Sequence, residues 1–312
     1  MTKRIKPFLR LGFIMISVFL SGGCSRLTVL DPKGPVAEQQ KDLILWSIGF
    51  MLLIIAVVYV LFTWILVKYR ERKNHKGYNP QQEGSKILEI VWTLIPVLIV
   101  IALAVPTVKT IYALEQPPKE TAHKKPLVIH ATSVNWKWIF SYPEQNIETV
   151  NYINIPKGRP VLFKLTSADS MSSFWIPSLG GQKYAMAGME TQLYLQADHI
   201  GTYEGRNSNF NGRGFAKQEF TVKAQTEEDF NQWIKETQSK APKLTKARYD
   251  DFMQEGHSQE MSFSSTHLEW VDHAKDPEYA LRVRNQLEDS PETPKENPHK
   301  HSHSHSERWA GK

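Results

Sequence analysis

Two long apolar runs lie in the first part of the chain. Residues 43–67 contain no charged side chain, and at about 1.5 Å per residue a helix of this length spans a hydrocarbon core of about 30 Å. The second run, 87–111, carries Glu89 near its start and contains Pro96 and Pro106, which membrane helices tolerate. The pattern therefore predicts two transmembrane helices, 43–67 and 87–111.

A third apolar run lies at the start of the chain, in 11–20. It follows four basic residues and precedes Ser21, Gly22, Gly23 and Cys24, an arrangement typical of a secretory signal. Small residues ending at a cysteine resemble a bacterial lipobox, so we expect 1–24 to be a lipoprotein signal peptide with lipid (palmitate) on Cys24. Leu20 lies one place upstream of the usual aliphatic position, and an ordinary signal peptide or an uncleaved anchor is the alternative.

Charge between the two predicted helices indicates their orientation. The loop 68–86 carries six basic residues against Glu71 and Glu83, and basic loops remain on the cytoplasmic side of a membrane. The segment 25–42 and everything after the second helix are then external. We therefore expect a lipid-anchored, multi-pass protein of the bacterial cytoplasmic membrane with a large external C-terminal domain.

The hydrophobic pattern changes after the second helix. Residues 112–225 contain short β-rich runs separated by turn residues, which is typical of a sandwich or small barrel. The predicted strands are 127–129, 136–140, 149–155, 161–165, 191–195 and 219–222. A helical extension is predicted for 226–288, with a first helix that begins at Thr226 and has Phe230, Trp233 and Ile234 on one face, and further helices at 246–254 and 276–287. The His-rich tail, 289–312, has the composition of a disordered segment.

Composition excludes several classes of function. The net charge is +6, and removal of the signal peptide with its four basic residues lowers it to +2, so the mature chain lacks the basic surface of a nucleic-acid binder. Cys24 is the single cysteine. This excludes an internal disulfide framework, a Cys-rich zinc site, an iron–sulfur cluster and a covalently attached haem.

Three ordered motifs resemble subunit II of the haem–copper respiratory oxidases. They are the Glu89–Pro96 segment EIVWTLIP, the Trp136–Trp138 segment WKW, and the Ser173–Leu179 segment SFWIPSL, which is followed by Lys183 and by Tyr203-Glu204-Gly205. The similarity covers about 27–224 and agrees with the predicted topology. It implies a two-helix hairpin followed by an external all-β cupredoxin-like Greek-key sandwich.

The same resemblance implies that a copper centre has been lost. In the cytochrome c oxidases of this family, two thiolates, two imidazoles, a thioether and a carbonyl hold two copper ions. The corresponding positions here hold Ser172 (first His), Asn207 and Asn211 (the two Cys), Asn209 (the carbonyl donor), Phe215 (second His) and Gln218 (Met). These residues offer no soft ligand, which is typical of the quinol oxidase branch.

That branch implies a proton-pumping terminal quinol oxidase in which this chain alone is not catalytic. Haems and copper would lie in the catalytic subunit I, subunits III and IV would be further partners, and the quinol would be menaquinol rather than ubiquinol. The alternatives are a cytochrome c oxidase and a free-standing surface lipoprotein that binds metal through its tail.

Individual residues have competing interpretations. By resemblance Glu89 lies at the mouth of a proton path, and its alternative is an interfacial carboxylate beside Lys86. Trp136 matches the family's electron-accepting tryptophan, although we expect it to pack, and we expect Ser172, Asn207 and Asn211 to form a hydrogen-bonded core. Four histidines alternate in the tail, and we expect them to be solvated rather than to bind a metal ion. They are His299, His301, His303 and His305. We expect His267 and His273 to be surface residues.

Overall fold

The structure is a computed structural model that describes residues 27–70 and 84–288. Within these ranges the helices are α1 Pro35–Lys68, α2 Lys86–Leu114, α3 Glu227–Lys240, α4 Lys246–Phe252 and α5 Tyr279–Glu288. The strands are β1 Leu127–Val134, β2 Lys137–Tyr142, β3 Ile147–Val150, β4 Tyr152–Pro156, β5 Val161–Ser167, β6 Ser172–Ile176, β7 Gly180–Ala185, β8 Thr191–Leu195, β9 Gly201–Asn207, β10 Glu219–Gln225 and β11 Met261–Phe263. Short 3₁₀ turns lie at Thr28–Leu30, Phe215–Lys217 and His267–Glu269.

Both predicted membrane helices form, and both are longer than their apolar runs. Helix α1 begins at Pro35 rather than at residue 43, because proline is favoured in the first turn, where its missing N–H is not needed. The added turns dock on the sandwich. Val36 and Ala37 are buried, and the Gln40 side-chain oxygen accepts a hydrogen bond from the Gly181 amide at 3.1 Å.

Helix α2 is continuous through Pro96 and Pro106. Proline has no N–H, so each one leaves the carbonyl four residues earlier without its helical donor. For Pro106 this is the Ala102 carbonyl, which accepts a hydrogen bond from Trp46 Nε1 of α1 at 3.4 Å. Apolar side chains along both helices remain exposed, as expected for segments that contact lipid or a partner subunit.

The domain that follows α2 is a sandwich of two sheets. One has the strand order β11-β3-β2-β1-β5-β8 and the other β4-β10-β9-β6-β7. The β1–β5 and β4–β10 pairs are parallel, and the other pairs are antiparallel. Aromatic rings fill the space between the sheets, with Phe174 lying 5.0 Å from both Phe163 and Phe220 and 5.3 Å from Trp138. The predicted all-β sandwich is confirmed.

Several strand predictions were wrong. The sequence pattern missed β6, β7, β9 and β11, and Gly180-Gly181 begins β7 instead of forming a separating turn. The single strand predicted for 149–155 is two strands in different sheets, broken at Asn151, whose φ is +58°. Asparagine is among the residues that tolerate this left-handed conformation. Trp136, with φ +67°, lies in the turn before β2 and not in the strand.

The C-terminal extension packs against the sandwich and adds a strand to one of its sheets. The short strand β11 pairs with β3 and closes that edge of the sheet. Helix α3 is capped by the Thr226 hydroxyl, which accepts from the Asp229 amide at 3.1 Å, and Phe230 and Ile234 are buried on one face, as predicted. Helix α4 ends at Phe252, and α5 begins at Tyr279, so both differ from the predicted bounds by a few residues.

A second apolar core lies between the extension and the outer face of β2. Val134, Ile139 and Val150 contribute from the sandwich, and Tyr249 and Phe252 contribute from α4. Every residue of β2 is therefore buried, and alternation of apolar and polar residues is lost, as expected for a strand covered on both faces.

The prediction that His267 and His273 are surface residues was wrong. Each has a relative exposure of 1%, because the extension folds back on the sandwich and covers both rings. The signal peptide with Cys24, residues 71–83 of the predicted cytoplasmic loop, and the tail with its four alternating histidines lie outside the described residues.

Candidate functional site

Polar side chains meet at one end of the sandwich. The hydroxyls of Ser133 in β1 and Ser172 in β6 are 2.6 Å apart. Gln218 donates from Nε2 to Ser133 Oγ at 2.9 Å, and its Oε1 accepts from Asn207 Nδ2 at 2.8 Å. Ser133, Ser172, Asn207 and Gln218 are all buried. We term these four side chains, together with Asn211 of the loop after β9, the polar network.

The loop after β9 completes the polar network. Asn211 Nδ2 lies 3.0 Å from Ser172 Oγ and 2.8 Å from Gln218 Oε1. Asn207 Oδ1 accepts from the amides of Ser173 at 2.8 Å and Asn209 at 2.9 Å, which fixes the loop conformation. Buried polar groups need such partners, since an unsatisfied one costs about 1–3 kcal/mol.

Two of the positions singled out in the sequence lie beside the polar network instead of within it. Asn209 is bonded through Nδ2 to the Met171 carbonyl at 3.0 Å. Phe215 packs its ring 5.8 Å from that of Phe210, as expected of a side chain without polar atoms. The structure therefore brings Ser172, Asn207, Asn211 and Gln218 together, and leaves Asn209 and Phe215 at the margin.

The residues of this site do not fit a dinuclear copper centre. Hydroxyl and amide groups are poor ligands for copper compared with thiolate and imidazole, and here they are bonded to one another. Among residues 27–70 and 84–288, His, Cys, Asp and Glu form no group of three or more that could hold a metal ion.

Trp136 borders the site. Its Nε1 donates to the Asn211 carbonyl at 3.2 Å, and its ring lies against Gly212 and Gly214, where a Cβ on Gly214 would overlap the ring. On the other side the His257 ring lies 6.0 Å away, centroid to centroid. The indole is thus held between the loop after β9 and the C-terminal extension.

Comparison with known proteins identifies the family. The model of the cytochrome c oxidase subunit II transmembrane domain matches residues 25–110, and that of the periplasmic domain matches 144–224. Quinol oxidase subunit 2 of Bacillus spizizenii and that of Bacillus subtilis are each 63% identical over 287 residues, covering 91% of this chain and 89% of the relative. The chain belongs to the quinol oxidase subunit 2 family.

The chain is also similar to a domain whose structure has been solved. The periplasmic domain of cytochrome oxidase subunit II from Bradyrhizobium japonicum is 22% identical, with a TM-score of 0.35, and the match covers 36% of this chain and 93% of that domain. Family membership confirms the resemblance found in the sequence. The free-standing lipoprotein alternative finds no support among these relatives of quinol oxidase subunit 2.

The membrane part of this quinol oxidase subunit carries the second candidate site. Glu89 lies in the first turn of α2 and is exposed. It lines a shallow groove of about 380 Å³ with Ile90, Thr93, Leu94 and Val97. Apart from Glu89 and Thr93 the groove is apolar. The carboxylate can therefore face an adjoining subunit as well as the membrane surface.

Sequence reasoning missed a third cluster, which lies under the extension. Glu148 of β3 is fully buried, and its Oε2 lies 2.6 Å from His267 Nδ1 and 2.7 Å from Ser141 Oγ. Tyr249 stacks on His267 at 4.3 Å, and its hydroxyl lies 2.7 Å from His273 Nε2. We term these five side chains the buried latch. A carboxylate within the apolar β3 run was the one available signal.

A buried lysine was also missed. Lys137, in the middle of the WKW motif, donates to the Gln254 carbonyl at 2.7 Å. Burial is the largest cause that lowers the pKa of its amine to about 8. Together with the Asn135 amide, which donates to the Met253 carbonyl at 3.2 Å, it ties the turn at Trp136 to the extension.

Proposed function

We propose that this chain is subunit II of a terminal oxidase that passes electrons from quinol to oxygen and pumps protons, and that it carries no redox centre itself. The observation that supports this is the polar network, in which Ser172, Asn207, Asn211 and Gln218 bond to one another at positions where the cytochrome c oxidases bind copper. The haems and copper belong to catalytic subunit I. Subunits III and IV complete the complex, and menaquinol is the donor.

The roles of this subunit in the complex follow from its architecture. Helices α1 and α2 present exposed apolar side chains for packing against subunit I and membrane lipid, and the external domain covers the outer face of that subunit. Trp136 is a packing residue, because its ring fills the space beside Gly212 and Gly214. Purification of the complex, with haem and quinone analysis and quinol-driven oxygen uptake, tests the assignment. A colourless monomer would contradict it.

Copper binding is the first specific prediction. The full chain in detergent, offered copper under reducing and then oxidising conditions, should show no strong visible band, because the ligand positions lack thiolate and imidazole. A variant ending at residue 288 is the matched control, since any copper held by the tail histidines should disappear with the tail. A visible band with two copper ions retained by the truncated chain would reject the quinol-donor proposal.

The orientation we propose puts residues 71–83 in the cytoplasm and the sandwich outside. Lys68 at the end of α1 and Lys86 at the start of α2 support it, because both lie at the loop end of the hairpin and basic residues favour the cytoplasmic side. Glu89 then lies at the cytoplasmic end of α2.

Glu89 is the proposed group that receives protons for the oxidase. Glu89→Gln should slow quinol-driven oxygen uptake by about 10-fold or more without changing haem content, since loss of a proton-transfer group typically costs about 100-fold. Glu115→Gln is the matched control, because Glu115 is the C-cap at the other end of the same helix. If Glu89 were merely an exposed charge, replacing it by an amide would change the stability of the protein by only about 0–1 kcal/mol and would leave the rate of oxygen uptake unchanged. Equal rates from pH 6 to 9 would therefore reject the proton role.

Lipid attachment at Cys24 completes the proposal. Cys24→Ser should remove the lipid and change the mass of the N-terminal peptide, while the complex remains in the membrane. Two spanning helices bury far more apolar surface than two or three acyl chains. An unchanged mass would show that Cys24 carries no lipid.

A further inference from the structure

A hydroxyl lies one helical turn beyond Glu89. Thr93 Oγ1 donates to the Glu89 carbonyl at 2.8 Å, and the two side chains line the same groove on α2. A threonine that donates back to the preceding turn keeps its oxygen lone pairs available as an acceptor. Among the described residues that line this groove, Thr93 is the only polar side chain beside Glu89, and its hydroxyl therefore presents an acceptor to the open side.

Pro96 adds a second acceptor on the same side of the helix. Because proline has no N–H, the Trp92 carbonyl lacks the helical amide donor that it would otherwise have at residue 96. At 100° per residue, Glu89, Trp92 and Thr93 fall within about 100° of one another around the helix axis, and about 6 Å along it. A carboxylate, a hydroxyl and a freed carbonyl thus form one hydrogen-bonding stripe.

The other half of α2 contains a similar pair of groups in a different setting. Thr107 Oγ1 donates to the Leu103 carbonyl at 2.7 Å, and Pro106 frees the Ala102 carbonyl. That carbonyl is bonded to Trp46 of α1, so it serves to join the two helices. Glu89 and Thr93 instead line a groove formed by described residues of α2, which leaves them open to a partner subunit or water.

We propose that Thr93 and the Trp92 carbonyl are positioning groups, which hold the water that takes a proton from Glu89 and passes it into the catalytic subunit. The inference rests on the proton role proposed for Glu89. The carboxyl O–H bond breaks as its proton moves to this water, and the water releases another proton to a hydrogen-bonded group of the catalytic subunit. The carboxylate then takes up the next proton from cytoplasmic water, so that no atom is consumed.

The test uses the assembled oxidase with Thr93→Val, which keeps the side-chain shape and removes the hydroxyl. We expect oxygen uptake to fall by about threefold to 10-fold, less than the about 100-fold typical of losing the proton-transfer group itself. The rate should also show a larger solvent deuterium isotope effect than the wild type. Thr93→Ser should restore both values, and Thr107→Val, which removes the equivalent hydroxyl away from Glu89, should leave them unchanged.

Pro96→Ala tests the second acceptor without depending on Thr93. It supplies an amide N–H to the Trp92 carbonyl and should slow proton delivery in the same direction, whereas Pro106→Ala should not. If Thr93→Val fails to assemble with normal haem content, the comparison of Pro96→Ala with Pro106→Ala tests the positioning role instead.

The results of these experiments distinguish the positioning role of Thr93 and the Trp92 carbonyl from the proton role of Glu89. A slow Glu89→Gln oxidase together with wild-type rates and isotope effects in Thr93→Val and Pro96→Ala would overturn the positioning role and keep the proton role of Glu89. A wild-type rate in Glu89→Gln would overturn both.

Discussion

Replacing Glu148 by alanine should lower the free energy of unfolding of the sandwich domain by about 3 kcal/mol or more, because each buried donor that loses its acceptor costs about 1–3 kcal/mol. Glu148 Oε2 accepts from Ser141 Oγ at 2.7 Å and from the His267 amide at 3.1 Å, and lies 2.6 Å from His267 Nδ1. Alanine removes all three contacts and leaves their donors buried. We expect the C-terminal extension to separate from the sandwich.

The measurement is urea unfolding of the full chain in non-ionic detergent, followed by near-ultraviolet circular dichroism, with proteolysis as a second readout of the extension. Arg282→Ala is the matched control, because the Arg282–Asp276 ion pair lies in the same extension but is exposed. It should leave the free energy of unfolding nearly unchanged, because solvent screens an exposed ion pair. A loss of similar size in both variants would show that the buried latch does not hold the extension.

Acid should weaken the same region through His273. Burial is the largest cause that lowers the pKa of the His273 imidazole from 6.5 to about 3, and the neighbouring His267 lowers it further, while Asp272 and Asp276 oppose the shift. Between these two values the unfolded chain binds a proton that the folded chain excludes. The free energy of unfolding therefore falls as the pH is lowered from 6.5 to 3, by up to about 5 kcal/mol at 1.36 kcal/mol per pKa unit.

The comparison is between the wild type and His273→Gln, each unfolded in urea at intervals from pH 7.5 to 4. Glutamine does not titrate, so the variant should show a smaller loss of stability over this range, even if its stability at pH 7.5 is reduced. Other carboxylates titrate in both proteins and cancel in the difference. Parallel curves would mean that His273 becomes protonated in the folded state without cost.

The apolar runs predicted the two membrane helices and the β-rich domain, because burial in lipid or in a sandwich core selects residues by period and length. Among the missed strands, β7 and β9 lack that signal. The sequence of β7, GGQKYA, and that of β9, GTYEGRN, contain few apolar residues, and β9 alternates between buried and exposed positions largely through glycine, tyrosine and asparagine. Pairing with neighbouring strands decides their structure.

The candidate sites divide in the same way. The four side chains Ser172, Asn207, Asn211 and Gln218 could be grouped from the sequence because the family resemblance supplied their spatial relation. The buried latch could not, since Glu148 and His267 are separated by 119 positions along the chain and no motif connects them. A histidine in a polar segment gives no sign that another part of the chain will cover it.

The pairing of the short strand β11 with β3 determines when the growing chain is protected from self-association. The outer edge of β3 pairs with Met261–Phe263, which are synthesised more than 100 residues after β3. Until then, unpaired backbone groups of β3 can template pairing with another chain. In the orientation proposed above, the nascent subunit is therefore vulnerable to aggregation on the outer surface of the membrane until β11 has emerged.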